Sequence, residues 1–210
     1  YKGTRAATPQ LVIDALEPLC EICAALRIPV IMKPGFEADD ALGTLAVIAE
    51  KEGFDTVMVT PDKDYGQLVS AHIHQLKPGK SGSEDEMFTE KEICEKYGVD
   101  STAAIVDLLA ICGDTADNVP GVKGVVEKGA SALLKKYGTL ENIYSHIDEL
   151  SPKKKNCFEE NRSHISLSKE LVTIKTDVPL DVDFDAMKAD KVYDPKIITL
   201  FKEYEFPSLM

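Results

Sequence analysis

The hydrophobic pattern of the first part of the chain alternates between two spacings. Apolar side chains recur every three to four positions over 9–26 and 37–52, which predicts two helices that each bury one face. Short apolar runs at 28–32, 56–60 and 72–76 predict buried strands. Helices that alternate with strands in this way are typical of a parallel sheet covered by helices, so we predict an α/β fold here.

The pattern changes after 77–86, a segment rich in glycine, serine and charge that we predict to be a surface loop. Thr89 and Glu92 then match a capping box, the signature of a helix start. Almost every later segment has helical spacing, and the predicted helices are 90–97, 101–112, 124–137, 139–146, 152–162, 164–171 and 194–204. We therefore divide the chain into an α/β part at 1–86 and a helical part at 87–210.

Composition indicates the general class of protein but points to no particular reaction or ligand. The 44% of hydrophobic residues include no apolar run near the ~20 residues of a membrane span, so the pattern predicts a globular protein. Five cysteines at irregular spacing argue against a disulfide framework and favour a reducing, cytoplasmic location. Cys20 and Cys23 form one C-x-x-C pair without a second pair or a nearby histidine, which favours buried thiols over a zinc or redox site.

The net charge of −12 argues, by itself, against a nucleic-acid partner, because phosphate binding normally needs a basic surface. That objection weakens where acids gather in one place and bound cations neutralise them. The chain has three such acidic clusters, which hold Glu37, Asp39 and Asp40, then Asp62 and Asp64, then Asp114 and Asp117. The first two follow predicted strands, at the edge of the sheet where open α/β folds place their active sites.

Each cluster alone has an ordinary interpretation, since acids at a helix start interact favourably with the helix dipole. If the clusters converge, however, repulsion between the carboxylates raises their pKa values or unfolds the site unless cations bind. Oxygen ligands without histidine or cysteine suit Mg²⁺ or Mn²⁺ better than zinc. Two such ions about 4 Å apart suit hydrolysis of a phosphodiester bond by water.

A glycine-rich turn follows the third cluster directly, from Pro120 to Lys128. Backbone N–H groups at such a turn and at the helix start after it can hold a phosphate, and Lys123 and Lys128 add positive charge. An ordinary helix–turn–helix with a solvated lysine face explains the same residues equally well. The sequence leaves both interpretations of this turn open.

Four motifs together resemble a known family. The segments YKGTR, EADD, TPDKD and GDTADNVPGVKG are similar to the 5′→3′ nuclease domain of bacterial DNA polymerase I, which belongs to the flap endonuclease superfamily. The resemblance continues to FKEYEFPSL near the end of the chain. It implies a PIN-like, mostly parallel sheet with covering helices, and a helical part that carries a helix–three-turn–helix element for binding duplex DNA.

The resemblance also implies the chemistry of the site. It implies two divalent metal ions, Mg²⁺ with Mn²⁺ as a substitute, whose ligands match Glu37, Asp39, Asp40, Asp62, Asp64, Asp114 and Asp117. The family's catalytic basic residues, which lie near the scissile phosphate, match Lys2 and Arg5. The DNA-binding hairpin, where the family can also hold a K⁺ ion through backbone carbonyls, matches Gly121, Lys123, Gly124 and Lys128.

Two departures from the family pattern concern this chain. The family begins with strands that carry two further catalytic aspartates upstream of YKGTR, so we expect this chain to be a truncated form that lacks both. Cleavage by the chain alone is therefore an open question. Val126 stands where the family hairpin has its last glycine, and Gly129 stands where it has threonine. Because valine tolerates positive φ poorly, either the backbone differs there or that glycine was never strained.

The clusters and the resemblance together favour a structure-selective 5′ nuclease that cuts DNA at a 5′ flap or 5′ end and leaves 5′-phosphates. We expect a monomer with no membrane partner, whose natural chain continues into polymerase domains. Two rival functions stay open. One is a fragment that binds DNA structures without cleaving them, and the other is a different Mg²⁺-dependent enzyme such as a phosphatase.

Overall fold

The computed structural model describes residues 2–3, 6–80, 83–189 and 194–209. The chain forms two compact units, of which the first contains Tyr1–Arg5 and Phe36–Val178 and the second contains Ala6–Gly35 and Pro179–Met210. This division differs from the predicted boundary after residue 86, which falls inside the first unit. The reason is that one hydrophobic core joins residues from both sides of that boundary, among them Ile73, Ile105 and Ile165.

Helices make up nearly half of the described chain. They are α1 (Gln10–Asp14), α2 (Leu16–Ala25), α3 (Ala38–Lys51), α4 (Glu90–Tyr97), α5 (Ala104–Cys112), α6 (Glu127–Tyr137), α7 (Leu140–Ser145), α8 (Pro152–Val172) and α9 (Lys196–Glu203). The strands are β1 (Thr56–Val59), β2 (Ile73–Lys77) and β3 (Glu86–Phe88), and short 3-10 turns cover Lys63–Leu68, Ile147–Glu149 and Pro207–Leu209. Each helix that the apolar spacing predicts has a counterpart here, with ends that move by a few residues.

The sheet of the first unit confirms the predicted parallel arrangement for two of its strands. β1 pairs with β2 in parallel, with Thr56 opposite Ile73 and Val59 opposite Leu76, and α3 packs against both strands. β3 pairs with β2 in the antiparallel direction and lies at the end of the predicted loop. Three residues are too few to show the alternation that marks a strand in a sequence, so β3 could not be predicted from its pattern.

The helix predicted at 9–26 is divided into α1 and α2 at Ala15. Pro18, near the start of α2, explains the division. It has no N–H to donate to the carbonyl of Asp14, and its ring crowds that carbonyl, so one continuous helix is strongly disfavoured there.

The strand predicted at 28–32 is wrong. In the described chain this segment belongs to no sheet, and the exposed fractions of Ile28, Val30 and Met32 are 51%, 47% and 75%. Pro29 lacks the N–H that a ladder position needs, which weakens the segment as an interior strand. Apolar composition therefore overstated how deeply this segment is buried.

The helices predicted at 152–162 and 164–171 form the single helix α8. Its buried residues keep helical spacing along the whole length, and they are Phe158, Asn161, Ile165, Ser168 and Val172. Neither glycine nor proline interrupts this row, so nothing in the backbone ends the helix midway.

Helix α5 lies within the core of the first unit. Ile105, Leu108 and Ile111 have at most 2% of their surface exposed, and α5 packs against α6, α8 and the 3-10 turn Lys63–Leu68. The second acidic cluster lies at the start of that turn, and the third cluster follows the end of α5. Packing of α5 on the turn therefore brings two clusters together that are about 50 residues apart in the chain.

The second unit has a small core of its own, in which α2 and α9 pack around Ala25, Ile197, Leu200 and Phe201. All five cysteines are free thiols, in agreement with the expectation of no disulfide framework. Among the residues described, no helix combines the length and the apolar character needed to cross a membrane.

Candidate active site

The second acidic cluster lies immediately beyond the carboxyl end of β1. Asp62 caps the 3-10 turn that follows, because its Oδ1 accepts a hydrogen bond from the backbone N–H of Asp64 at 3.0 Å. Gln75, a buried residue of β2, donates from Nε2 to the carbonyls of Thr60 at 3.1 Å and Asp62 at 2.6 Å. A side chain of the neighbouring strand thus holds the loop that presents both carboxylates.

The first cluster begins α3. Glu37 and Asp40 form a capping box, in which the N–H of Glu37 donates to Oδ2 of Asp40 at 3.4 Å. Oδ1 of Asp40 accepts a hydrogen bond from the backbone N–H of Lys175 at 2.9 Å. Asp39 faces the second cluster, since its Oδ1 accepts a hydrogen bond from the hydroxyl of Tyr65 at 2.8 Å. The acids of this cluster therefore differ, with Asp40 engaged by backbone groups and Asp39 by a side chain.

The third cluster is shaped by a turn directly after α5. The backbones of Asp114 and Val119 form an antiparallel bridge, with N···O distances of 2.9 and 2.7 Å. Oδ1 of Asp114 accepts from the N–H groups of Ala116 at 2.8 Å and Asp117 at 3.3 Å. Its Oδ2 forms an ion pair with Nζ of Lys63 at 2.8 Å, which connects the third cluster with the second.

Lys2 connects the third cluster with the first. Its backbone N–H donates to the carbonyl of Asp117 at 2.8 Å, and its Nζ lies 2.5 Å from Oε2 of Glu37. All three acidic clusters are thus joined by hydrogen bonds or ion pairs, as the convergence hypothesis requires. Arg5, the second basic residue predicted for this site, lies outside the described residues.

The charges within this group act on one another. Burial, followed by the charges of Asp62, Asp114 and Asp117, raises the pKa of Asp64 to about 6, against the opposing effect of Lys63. Burial also acts to raise the pKa of Asp114, but the hydrogen bond and the charge of Lys63 lower it below the ordinary value. The expected repulsion between converging carboxylates is therefore present at Asp64 and is relieved at Asp114 by a lysine.

The donor set suits a hard divalent cation in its chemistry. Oδ1 of Asp64 is buried and has no hydrogen-bond partner among the described residues, which leaves an oxygen that a cation can satisfy. Within the same residues, however, no group of three or more histidine, cysteine, aspartate or glutamate side chains is arranged to hold one metal ion. The acids are close enough to interact electrostatically, but they are not arranged as a complete set of ligands for one metal ion. Lys2 and Lys63 form ion pairs with two of them, Glu37 and Asp114.

The glycine-rich turn packs closely against the end of α5. A Cβ at Gly121 would lie 2.4 Å from the carbonyl carbon of Cys112 and 2.5 Å from the backbone N of Gly113, so only glycine fits. Gly124 has φ +91°, which also favours glycine. A cavity of about 680 Å³ follows this turn and reaches Asp114, so the turn and the third cluster share one concave surface.

The backbone conformation of Val126 shows why valine can stand where the family hairpin has glycine. Val126 has φ −100° and ψ 165°, an extended conformation that valine adopts readily, and it precedes the first residue of α6. Position 126 therefore does not require glycine in this chain. Lys123 and Lys128 are exposed, and Gly129 lies within α6.

The sequence analysis missed three residues that organise the site, namely Lys63, Tyr65 and Gln75. Lys63 stands inside the motif TPDKD, where its charge between two aspartates was the available signal. Tyr65 and Gln75 gave no comparable signal, because only the fold shows that they reach Asp39 and the loop after β1.

Two family models match the chain. The 5′-3′ exonuclease N-terminal resolvase-like domain matches residues 1–98, and the 5′-3′ exonuclease C-terminal SAM fold matches residues 101–195. The two matches together cover nearly the whole chain, and they meet beyond the boundary predicted after residue 86.

Relatives of known identity agree with these matches. The chain is 38% identical over 211 residues to DNA polymerase I of Bacillus caldotenax, covering 100% of this chain and 24% of that protein. It is 37% identical over 210 residues to the thermostable DNA polymerase I of Thermus thermophilus, again covering 100% of this chain and 24% of the relative. The chain thus spans about a quarter of the length of these polymerases.

Solved structures share the fold at lower identity. The T5 D15 protein co-crystallised with metal ions is 20% identical, with a TM-score of 0.69, covering 98% of this chain and 76% of that one. The catalytic core of Rad2 in complex with DNA substrate is 16% identical, with a TM-score of 0.62, covering 94% and 65%. The predicted PIN-like α/β part with a helical part is confirmed. The chain belongs to the 5′-3′ exonuclease family and carries both its N-terminal resolvase-like domain and its C-terminal SAM fold.

Proposed function

We propose that this chain is the nuclease part of an enzyme that hydrolyses DNA phosphodiester bonds at a 5′ flap or 5′ end and leaves 5′-phosphates. The joining of the three acidic clusters by Lys2, Lys63 and Tyr65 carries the proposal. Membership of the 5′-3′ exonuclease family supports the same reaction. Because the relatives are DNA polymerases about four times as long as this chain, we also propose that polymerase domains accompany it in the natural protein.

We propose further that the carboxylates hold two divalent metal ions, Mg²⁺ by preference, with Mn²⁺ as a substitute. When bound, such ions would lower the pKa of a water molecule and stabilise charge on the leaving oxygen. The proposed ligands are Glu37, Asp39, Asp62, Asp64, Asp114 and Asp117, while Asp40 holds the start of α3 through its backbone partners. The T5 D15 protein, which shares the fold, was crystallised with metal ions, and this supports a metal site here.

The basic residues and the hairpin have separate proposed roles. Lys2 and Arg5 would neutralise the phosphate that undergoes cleavage, and Lys63 would limit the repulsion between acids. Gly121, Lys123, Gly124 and Lys128 would bind the duplex through backbone groups and positive charge, with K⁺ at the same turn. The catalytic core of Rad2, which shares the fold and was solved in complex with a DNA substrate, supports DNA as the partner. The monomeric state and the cytoplasmic location stay predictions.

A DNA-binding role without cleavage is the second candidate. One observation favours it, because the described carboxylates do not form a group of three that could hold a metal ion. Under this alternative the hairpin binds DNA structures and the acidic clusters only stabilise the fold.

The test of the proposed function is cleavage of a labelled duplex that carries a 5′ flap, using the natural full-length protein. We expect a product with a 5′-phosphate in Mg²⁺ or Mn²⁺ and none in the presence of a chelator, because the carboxylates need cations to organise the reaction. A small phosphate ester serves as the control substrate for phosphatase chemistry. Binding of the flap without any product would favour the second candidate, and hydrolysis of the small ester alone would point to a phosphatase.

The hairpin lysines give a separate prediction about DNA affinity. Replacing Lys123 and Lys128 together with glutamine is expected to weaken binding of every duplex and to reduce the slope of log affinity against log salt by about 2, because each lysine contacts about one phosphate. The measurement is fluorescence anisotropy over a salt series. Lys91, an exposed lysine of α4, provides the matched control. An unchanged salt slope in the double variant would mean that this turn does not contact the DNA backbone.

A further inference from the structure

Tyr65 is a buried residue next to the second acidic cluster. Only 3% of its surface is exposed, and it lies in the 3-10 turn Lys63–Leu68. Its hydroxyl donates a hydrogen bond to Oδ1 of Asp39 at 2.8 Å. One phenol thereby links the turn after β1 to the first turn of α3.

The segment that carries Tyr65 is itself held in place. Gln67 donates from Nε2 to the carbonyls of Asp64 at 3.0 Å and Val172 at 2.9 Å, and its Oε1 accepts from the N–H of Ile174 at 3.0 Å. The turn is thus fastened to the end of α8 and the chain that follows it. A donor on such a support fixes the orientation of the carboxylate that it contacts.

The partner of Asp39 differs in kind from the partners of Glu37 and Asp114. Glu37 and Asp114 are paired with lysines, whose positive charge competes with a metal ion for the same oxygens. Tyr65 is a neutral donor, so it orients Asp39 without cancelling the charge of its carboxylate.

We propose that Tyr65 is the positioning residue for Asp39 and holds its carboxylate in the orientation that binds a divalent cation. The inference rests on the proposed function, since it requires that Asp39 be a metal ligand. Loss of a residue that orients a ligand typically weakens metal affinity about 10–100-fold. Tyr65→Phe removes only the hydroxyl and preserves the buried ring, so it isolates the hydrogen bond from the packing.

The experiment measures Mn²⁺ binding to the natural full-length protein by electron paramagnetic resonance, alongside flap cleavage over a series of metal concentrations. For Tyr65→Phe we expect about 10–100-fold weaker Mn²⁺ binding and an equal rise in the metal concentration at half-maximal cleavage. Saturating metal should restore most of the maximal rate. A variant that was merely less well folded would lose maximal rate and keep the midpoint.

Tyr144→Phe is the matched control, because Tyr144 is a tyrosine of the same unit, on α7, whose hydroxyl donates to the backbone carbonyl of Phe158 at 3.0 Å and not to an acid of the clusters. Asp39→Asn changes the acceptor of the same hydrogen bond, so it tests whether Tyr65 acts on metal binding through Asp39. If Tyr65 acts through Asp39, then adding Tyr65→Phe to Asp39→Asn should weaken Mn²⁺ binding little further.

Three results would overturn the inference while leaving the nuclease intact: an unchanged midpoint in Tyr65→Phe, an equal loss in Tyr144→Phe, or a full further loss in the double variant. Absence of Mn²⁺ binding and of cleavage in the unaltered protein would instead remove the proposed function, and the inference with it. The two failures are therefore distinguishable.

Discussion

Replacing Asp64 with asparagine is expected to abolish cleavage and also to stabilise the metal-free protein above about pH 6. Burial and Asp62 raise the pKa of Asp64 to about 6, above the ordinary carboxyl value of 3.8. The folded protein therefore binds this proton more tightly than the unfolded chain does. The resulting stability is fully present below the ordinary pKa and is lost as the pH rises through about 6. Asparagine does not ionise, so the variant avoids that loss.

Both effects are measurable in the same preparation. Cleavage in Mg²⁺ should fall by more than about 100-fold, because even residues that only orient ligands cost about 10–100-fold. In chelator, the melting temperature of Asp64→Asn should exceed that of the unaltered protein by a few degrees at about pH 8 and by little at about pH 3.5. Added Mg²⁺ should raise the melting temperature of the unaltered protein and have less effect on the variant.

The control for this prediction is Glu95→Gln, which removes an exposed carboxylate of α4 and should change neither property. Asp62→Asn should match Asp64→Asn in its loss of cleavage. Full activity in either aspartate variant would refute the metal assignment. If the melting temperatures of Asp64→Asn and the unaltered protein differ by the same amount at both pH values, ionisation of Asp64 does not destabilise the folded protein.

Gly121→Ala is expected to lower the free energy of unfolding by about 3 kcal/mol or more, a large effect for one methyl group. The added Cβ would lie 2.4 Å from the carbonyl carbon of Cys112 and 2.5 Å from its oxygen. Both are backbone atoms at the end of α5, next to the fully buried side chains of Ala110 and Ile111. Neither α5 nor the glycine-rich turn can therefore move away without disturbing the core. Denaturant unfolding measures the loss.

Gly129→Ala is the matched control within the same region. There the added Cβ would meet only Cγ1 of Val125 at 3.8 Å, an ordinary contact, and the residue lies in α6. Alanine in a helix is favoured over glycine by about 0.5–1 kcal/mol, so this variant should be slightly more stable than the unaltered protein. If Gly121→Ala unfolds like Gly129→Ala, the close approach of the turn to α5 is wrong.

Local patterns were sufficient wherever neighbouring residues alone decide the structure. The capping box at Thr89, the helix start at Glu37 and the strand TVMVT all appear where the sequence predicts them. Predictions were wrong where a long-range partner decides the outcome, as at 28–32, where apolar residues join no sheet in the described chain. The compact units do not follow the predicted division at residue 86, since residues far apart in sequence share one core.

By itself the sequence determined the chemical types of the site, because acids, lysines and glycines at short spacings can be read directly as ligands, counter-charges and turns. Only the tertiary structure decided which of them meet. Packing of α5 on the turn after β1 brings Lys63 to Asp114, and the register of that turn brings the hydroxyl of Tyr65 to Asp39. Such contacts depend on the directions of side chains that lie 26 to 51 positions apart, which hydrophobic spacing along a chain does not encode.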